Sequence, residues 1–202
     1  MNRIFRYFVL ITIQAGSLTC CANMQSTNGS FQYNPAQRVF LVRHAERFAD
    51  SREDPPLTVQ GKERAKALAD TLRDAGVTAI ITSQWLRAKD TAQPLADLLN
   101  ITPQVIPTAD PPHEYFQATA NALKRLKDDT VLVVGHITIP NIIAELGGPQ
   151  VPTICENVFS DLFLLIPALG WDGLTRIRYG AHEDISPRCR NLLDSRPHPD
   201  DR

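Results

Sequence analysis

Short runs of Val, Ile, Leu and Phe alternate along this chain with longer segments of helical spacing, and that alternation restricts the folds open to it. Residues 38–42 and 130–134 are almost unbroken apolar runs, and residues 77–82 form a third that is rich in β-branched side chains. Runs apolar at successive positions, rather than at every second one, read as strands buried within a sheet. Between the first and third of these, Thr58 offers an N-cap. Ala65, Leu68, Ala69 and Leu72 follow at helical spacing, and Gly76 ends the pattern. Residues 85–99 carry Ala88, Thr91, Ala92, Leu95, Ala96 and Leu99 on one stripe, with Pro94 inside it. A short strand is expected at 104–106. Pro111 and Pro112 then precede a third helix with Phe116, Thr119, Ala120 and Leu123 in register. A short fourth helix over 140–146 ends at Gly147-Gly148-Pro149. Two late strands, 162–166 and 174–179, read as a hairpin around a short turn at Gly170-Trp171-Asp172-Gly173. Strands alternating with helices predict an α/β three-layer sandwich: a mainly parallel, mixed sheet with helices on both faces.

The length of 202 residues suits one domain. A net charge of -1 gives no electrostatic case for nucleic acid. No apolar stretch in the body of the chain is long enough to span a bilayer. The N-terminus differs: Arg3 and Arg6 without an acid, an apolar run over 7–18, then small residues, which is the layout of a secretory signal. Cys20 and Cys21 end that run and resemble a lipoprotein cleavage box. Lipidation there and plain cleavage after Ala22 are both open. The expected organisation is a signal over 1–22, a polar tether over 23–36, a folded domain over 37–190 and a polar tail over 191–202. The protein is accordingly expected to be exported, either periplasmic or held to a membrane by an N-terminal lipid. In an oxidising compartment the two thiols of the folded region, Cys155 and Cys189, would form a bridge or stay free.

In open α/β sheets ligands bind beyond the carboxyl ends of the strands. Arg43-His44 directly follows one expected strand, Gly135-His136 follows another, and the segment from Ser83 to Arg87 follows a third and leads into a helix. All three come to one edge of the sheet. Two histidines and two arginines gathered there suit the holding of a phosphoryl group and its transfer through a phosphohistidine. A neutral imidazole is a nucleophile, and a guanidinium binds phosphate oxygens in pairs without losing its proton. There is no His/Cys cluster at zinc spacing, so neither metal nor other cofactor is expected.

These motifs carry a resemblance. Arg43-His44-Ala45, then Ser83 with Arg87-Ala88 and Thr91-Ala92, then Gly135-His136 match in order and spacing the signature of the histidine phosphatase superfamily. The resemblance covers roughly residues 38–179. Arg43-His44-Ala45-Glu46 followed by Asp54-Pro55-Pro56-Leu57-Thr58 is similar to small exported members, and Arg43-His44-Ala45-Glu46-Arg47 to lipopolysaccharide heptose phosphate phosphatases. The resemblance implies that His44 attacks phosphorus, that Arg43 and Arg87 clamp the phosphoryl oxygens, and that His136 hydrogen-bonds them. It also implies a carboxylic acid to protonate the leaving group. Glu114 is the candidate, against a plain first-turn helix acid, with Glu46 as the runner-up. The function expected is metal-independent hydrolysis of a phosphomonoester. Small phosphate esters, lipopolysaccharide phosphate and phosphoprotein all fit as substrates. Alternatives are a non-catalytic phosphate- or phosphoprotein-binding module and phosphoglycerate mutase-type transfer. His113, His182 and His198 carry no expected chemistry. Trp85 and Trp171 read as packing or pocket walls.

Overall fold

The apolar runs pair into one six-stranded sheet in a computed structural model that describes residues 36–50, 52–183 and 189. The strands are β1 (Arg38–Arg43), β2 (Ala79–Thr82), β3 (Gln104–Val105), β4 (Thr130–Gly135), β5 (Asp161–Leu165) and β6 (Leu174–Arg178), in the order β3-β2-β4-β1-β5-β6. The first four run parallel. β5 lies antiparallel to β1, and β6 antiparallel to β5. Among the described residues the helices that accompany them are α1 (Val59–Leu72), α2 (Leu86–Leu99), α3 (Pro112–Arg125) and α4 (Ile139–Glu145).

Successive strand residues point to opposite faces, and both faces are covered. Phe40, Val42, Ile80, Leu132 and Val134 pack with Leu68 and Leu72 of α1 and with Ala88, Ala92 and Leu95 of α2. Their neighbours Val39, Leu41, Ile81, Val131 and Val133 pack with Phe116 and Leu123 of α3 and with Ile139, Ile142 and Ile143 of α4. This is the expected three-layer sandwich with a mixed sheet. It explains the unbroken apolar runs: a strand between two helical layers has no wet face, and each fully buried Leu or Val contributes about 1.5–3 kcal/mol.

Local chemistry sets the elements. The Thr58 side chain caps α1 by accepting from Gly61 N. α1 also lies close to the turn after β1: Thr58 N donates to Glu46 O at 2.9 Å, and a Cβ on Gly61 would sit 2.1 Å from that same carbonyl. Only glycine permits this approach. α2 continues through Pro94. The hairpin differs from the expected short turn. β5 and β6 are joined by a 3-10 segment, Pro167–Gly173, in which Gly170 takes φ 54°, a conformation glycine tolerates. Ile166 N closes the loop on Gly173 O. Cys155 and Cys189 form a disulfide, with Cα atoms 6.1 Å apart. The signal expected over 1–22, nearly all of the tether over 23–36 and the tail over 191–202 lie outside the described residues. Among the described residues no helix is long and apolar enough to cross a membrane.

Candidate active site

Parallel register decides where the histidines emerge. Arg43 at the end of β1 pairs with Gly135 at the end of β4, so His44 and His136 leave the sheet side by side. His44 N donates to Gly135 O at 2.9 Å, and the two imidazoles stack with centroids 5.3 Å apart and planes 25° apart. The turn after His44 is held by α2. Ala45 N donates to the Thr91 hydroxyl at 2.9 Å, and that hydroxyl donates to Arg87 O at 2.7 Å.

His44 is 1% exposed. Its Nδ1 lies 2.8 Å from Ala45 O. A carbonyl only accepts, so Nδ1 carries the proton and the lone pair is on Nε2. Nε2 is buried and has no hydrogen-bond partner within the protein. Burial pulls the His44 pKa down to about 3. The Ala45 carbonyl opposes this, and the charges of Arg43, His136 and Arg87 reinforce it. His136 is pulled down to about 4 by burial and by the charges of Arg43, Arg87 and Arg47. Both imidazoles are therefore neutral at neutral pH.

Arg43 is 6% exposed, and its Nη1 donates to the carbonyls of Cys155 (3.0 Å), Glu156 (2.5 Å) and Val158 (3.3 Å). The Phe159 ring lies 4.3 Å from Cζ. Arg43 Nε is buried without a partner in the protein. Burial lowers its pKa to about 10, with smaller opposing and reinforcing effects from nearby charges, so the group stays charged at neutral pH. Arg87 stands in the first turn of α2, with its guanidinium 4.9 Å from the Trp85 ring centre and 3.7 Å from Asp54. Asp54 also caps that helix from outside, because its carboxylate accepts from Leu86 N at 3.0 and 2.9 Å.

A cleft of about 220 Å³ opens here, lined by His44, Ser83, Trp85, Arg87, Ala88, Thr108, Ala109, Pro112, Tyr115, Phe116, Gly135, His136 and Thr138. Its far wall is fastened to the start of α2: Gln84 and Trp85 both donate to the Thr108 hydroxyl, and Thr108 N donates back to Gln84. Of the residues expected from the sequence, His44, Arg87 and His136 line the cleft. Arg43 lies beside it, its charge acting on both histidines.

The two candidate acids are placed otherwise. Pro112, Tyr115 and Phe116 share one face of α3 and line the cleft. Helical spacing turns Glu114 away from that face, and it is exposed. Glu46 is engaged elsewhere, its carboxylate meeting Arg64 Nε at 2.9 and 3.0 Å and Nη2 at 2.8 Å. Sequence reasoning missed the carbonyls that seat Arg43, the Asp54 cap and the contact of the Thr91 hydroxyl with Ala45. Among the described residues no group of three or more His, Cys, Asp or Glu is placed to hold a metal ion.

Comparison with known proteins places these features. The profile of the histidine phosphatase superfamily (branch 1) matches residues 39–109, a span holding His44 and Arg87. A probable phosphoglycerate mutase GpmB of Enterobacter is 39% identical over 66 residues, which cover 30% of this chain and 31% of that protein. The PE-PGRS family protein PE_PGRS11 of Mycobacterium tuberculosis is 43% identical over 160 residues, 72% of this chain and 27% of that protein. The chain thus spans less than a third of the length of these relatives. Among solved structures, the protein histidine phosphatase SixA complexed with tungstate superposes with a TM-score of 0.53 at 22% identity. The match covers 70% of this chain and 95% of that one, and shows a shared fold.

Proposed function

We propose that the chain, whose residues 39–109 match the profile of the histidine phosphatase superfamily, is a phosphomonoester hydrolase of that superfamily working through a phosphohistidine on His44. One observation carries this reading: His44 Nε2 and Arg43 Nε are both buried and both lack a partner in the protein. Leaving such atoms unsatisfied costs about 1–3 kcal/mol each. One is a free lone pair and the other a charged donor, and a phosphoryl group satisfies both.

In the first step the Nε2 lone pair forms a bond to phosphorus while the bond to the leaving oxygen breaks. The leaving oxygen keeps that electron pair and takes a proton. The ring becomes cationic, and its Nδ1–H, held on Ala45 O, stabilises that charge. In the second step water attacks phosphorus, the P–N bond breaks, its electron pair returns to Nε2, and orthophosphate leaves. Arg43 and Arg87 bring fixed charge, and His136 brings a hydrogen bond, to the phosphoryl oxygens. One such donor is worth on the order of 3 kcal/mol, or 10²-fold in rate. With Glu46 tied to Arg64 and Glu114 facing outward, the proton for the leaving oxygen comes from solvent or from the substrate's own phosphate. Two guanidiniums already supply positive charge, so the reading includes turnover in the presence of a chelator and inhibition by vanadate. A binding module would need the arginines but not an unprotonated Nε2. The basic, then apolar, then small layout of the N-terminus and the Cys155–Cys189 bridge support an exported enzyme.

The test is hydrolysis of p-nitrophenyl phosphate by the purified protein, with enzyme denatured during turnover at alkaline pH, where the P–N bond survives, and analysed by mass spectrometry for phosphate on His44. Wild type is expected to turn over and to carry the label. His44→Ala is expected to do neither while keeping its circular dichroism. Full turnover by His44→Ala would overturn the covalent reading.

A further inference from the structure

The segment that seats Arg43 is fastened at both ends. Cys155, whose carbonyl accepts from Arg43, is bonded to Cys189. At the other end the carboxylate of Glu183 accepts from Phe159 N at 2.7 Å, from Ser160 N at 3.3 Å and from the Ser160 hydroxyl at 2.8 Å. Phe159 is the ring against the Arg43 guanidinium, and it lies 6.2 Å from the His44 ring. Glu183 has a second partner, Arg64 Nη2, at 3.1 Å. Arg64 is only 2% exposed; it also donates to the carbonyls of Tyr179 and Ala181, and its other ion-pair partner is Glu46, two residues after His44. One carboxylate therefore touches both halves of the phosphate site: the seat of Arg43 directly, and the turn of His44 through Arg64 and Glu46.

We propose that Glu183 is a positioning residue for the reaction, fixing the Arg43 guanidinium and the His44 turn relative to each other. The inference rests on the phosphatase reading of the cleft. Its physical basis is the number of acceptors needed. Two backbone N–H groups, a hydroxyl and a buried guanidinium all converge on this side chain, and a carboxylate has the lone pairs to meet them. A Gln of the same shape offers one oxygen and sets an N–H₂ against groups that themselves donate. Arg43 gains its direction from the 155–158 carbonyls, so a shift of that segment re-aims the unpartnered Nε.

The experiment is Glu183→Gln in the full chain, assayed on p-nitrophenyl phosphate and with vanadate as inhibitor, per folded molecule. Misplacing a catalytic group by a fraction of an ångström to an ångström gives an expected fall in kcat of about ten- to a hundredfold. The vanadate affinity should weaken with it and KM should move little. In an Arg43→Lys background the same substitution should cost less than about threefold, because its effect travels through Arg43. A lowered melting temperature with unchanged kcat would overturn the proposal, as would losses that multiply in full in the double variant. Should Glu183→Gln fail to fold, Ser160→Ala, which deletes one hydroxyl contact, is read by the same two criteria. If wild type shows no turnover, the phosphatase reading fails. Vanadate affinity, compared between wild type and Glu183→Gln, then still tests the positioning claim.

Discussion

The two sides of the cleft are held in different ways. On the histidine side the groups proposed to react are fastened by backbone: His44 Nδ1 by Ala45 O, Arg43 by three carbonyls, and His44 N by Gly135 O. On the helix side the fastenings are side chains in partial contact with solvent. Arg87 rests on a Trp85 ring and a 3.7 Å approach to Asp54, whose side chain is 36% exposed. Trp85 and Gln84 hold the opposing loop through one Thr108 hydroxyl. Backbone carbonyls in a packed core have few alternative positions, whereas half-exposed side chains have many. In the proposed reaction the fixed side thus suits the atoms whose bonds would change, where preorganised charge lowers the barrier. The adjustable side suits whatever the phosphate is attached to.

The largest effect expected lies on the fixed side. Arg43→Ala removes a buried cation beside both histidines and leaves the 155, 156 and 158 carbonyls without their donor. A loss of about 10²–10³ in kcat is expected, as for removal of a preorganised donor. Steady-state kinetics on p-nitrophenyl phosphate measures it. A loss confined to KM would mean that Arg43 binds ground state and transition state alike, and the contrast between the two sides would fail.

The fixed side should also leave a signature in stability against pH. His44 is held down to about 3 and His136 to about 4, against an ordinary value near 6.5. A depressed histidine means that the unfolded chain binds protons the folded chain refuses. This contribution is therefore full above pH 6.5 and is lost as pH falls from about 6.5 toward those lowered values. For the buried His44 alone the loss between pH 7 and pH 5 is roughly 2 kcal/mol. Urea unfolding of wild type and His44→Gln at the two pH values should show a smaller acid loss in the variant. Parallel curves would mean that His44 titrates normally. In the same way, the acid limb of kcat/KM due to His44 should fall well below pH 6.5 once the titration of the substrate is divided out.

How much of this site could be read from sequence follows from what each part is made of. The central strands and the two histidines were legible, because unbroken apolar runs mark doubly covered strands and chemistry collects at their carboxyl ends. Arg87 was legible at the start of a helix. The seat of Arg43 was not. It lies in an irregular segment between α4 and β5 and works through carbonyl oxygens, which every residue has. Nor was the Asp54 cap, which reaches Leu86 from 32 positions earlier. Glu46 was the runner-up to Glu114 for the leaving-group acid. Its partner Arg64 lies on α1 and reads in sequence as one more helix charge. The Cys155–Cys189 pairing was left open because sequence separation says nothing about Cα distance.

On the adjustable side a smaller effect is expected. Arg87→Ala should lower kcat/KM by about tenfold, mainly through KM, because its charge is partly screened by solvent and shared with Asp54. Measured beside Arg43→Ala on the same substrate, the ratio of the two losses quantifies the difference between the sides. Equal losses would make the cleft a symmetric clamp. A set of substrates with different leaving groups sharpens the test, since the Arg87→Ala loss should vary across it while the Arg43→Ala loss stays constant.

The smallest effect is expected at Glu114, and it tests whether the adjustable side contributes any chemistry. In α3 the spacing that brings Pro112, Tyr115 and Phe116 to the cleft leaves Glu114 on another face, exposed in the first turn. There a carboxylate meets the positive end of the helix dipole, which accounts for an acid at this position without catalysis. Glu114→Gln should therefore change kcat by less than about twofold on p-nitrophenyl phosphate and on an alkyl phosphate alike. The alkyl substrate decides the matter. Its leaving oxygen is strongly basic and needs a proton as the bond breaks, whereas p-nitrophenolate does not. A general acid would show itself as a loss of about 10²-fold or more on the alkyl ester alone. Such a selective loss would mean that the first turn of α3 swings its carboxylate into the cleft when substrate binds. The helix side would then supply a proton as well as the Arg87 charge and a wall for the leaving group.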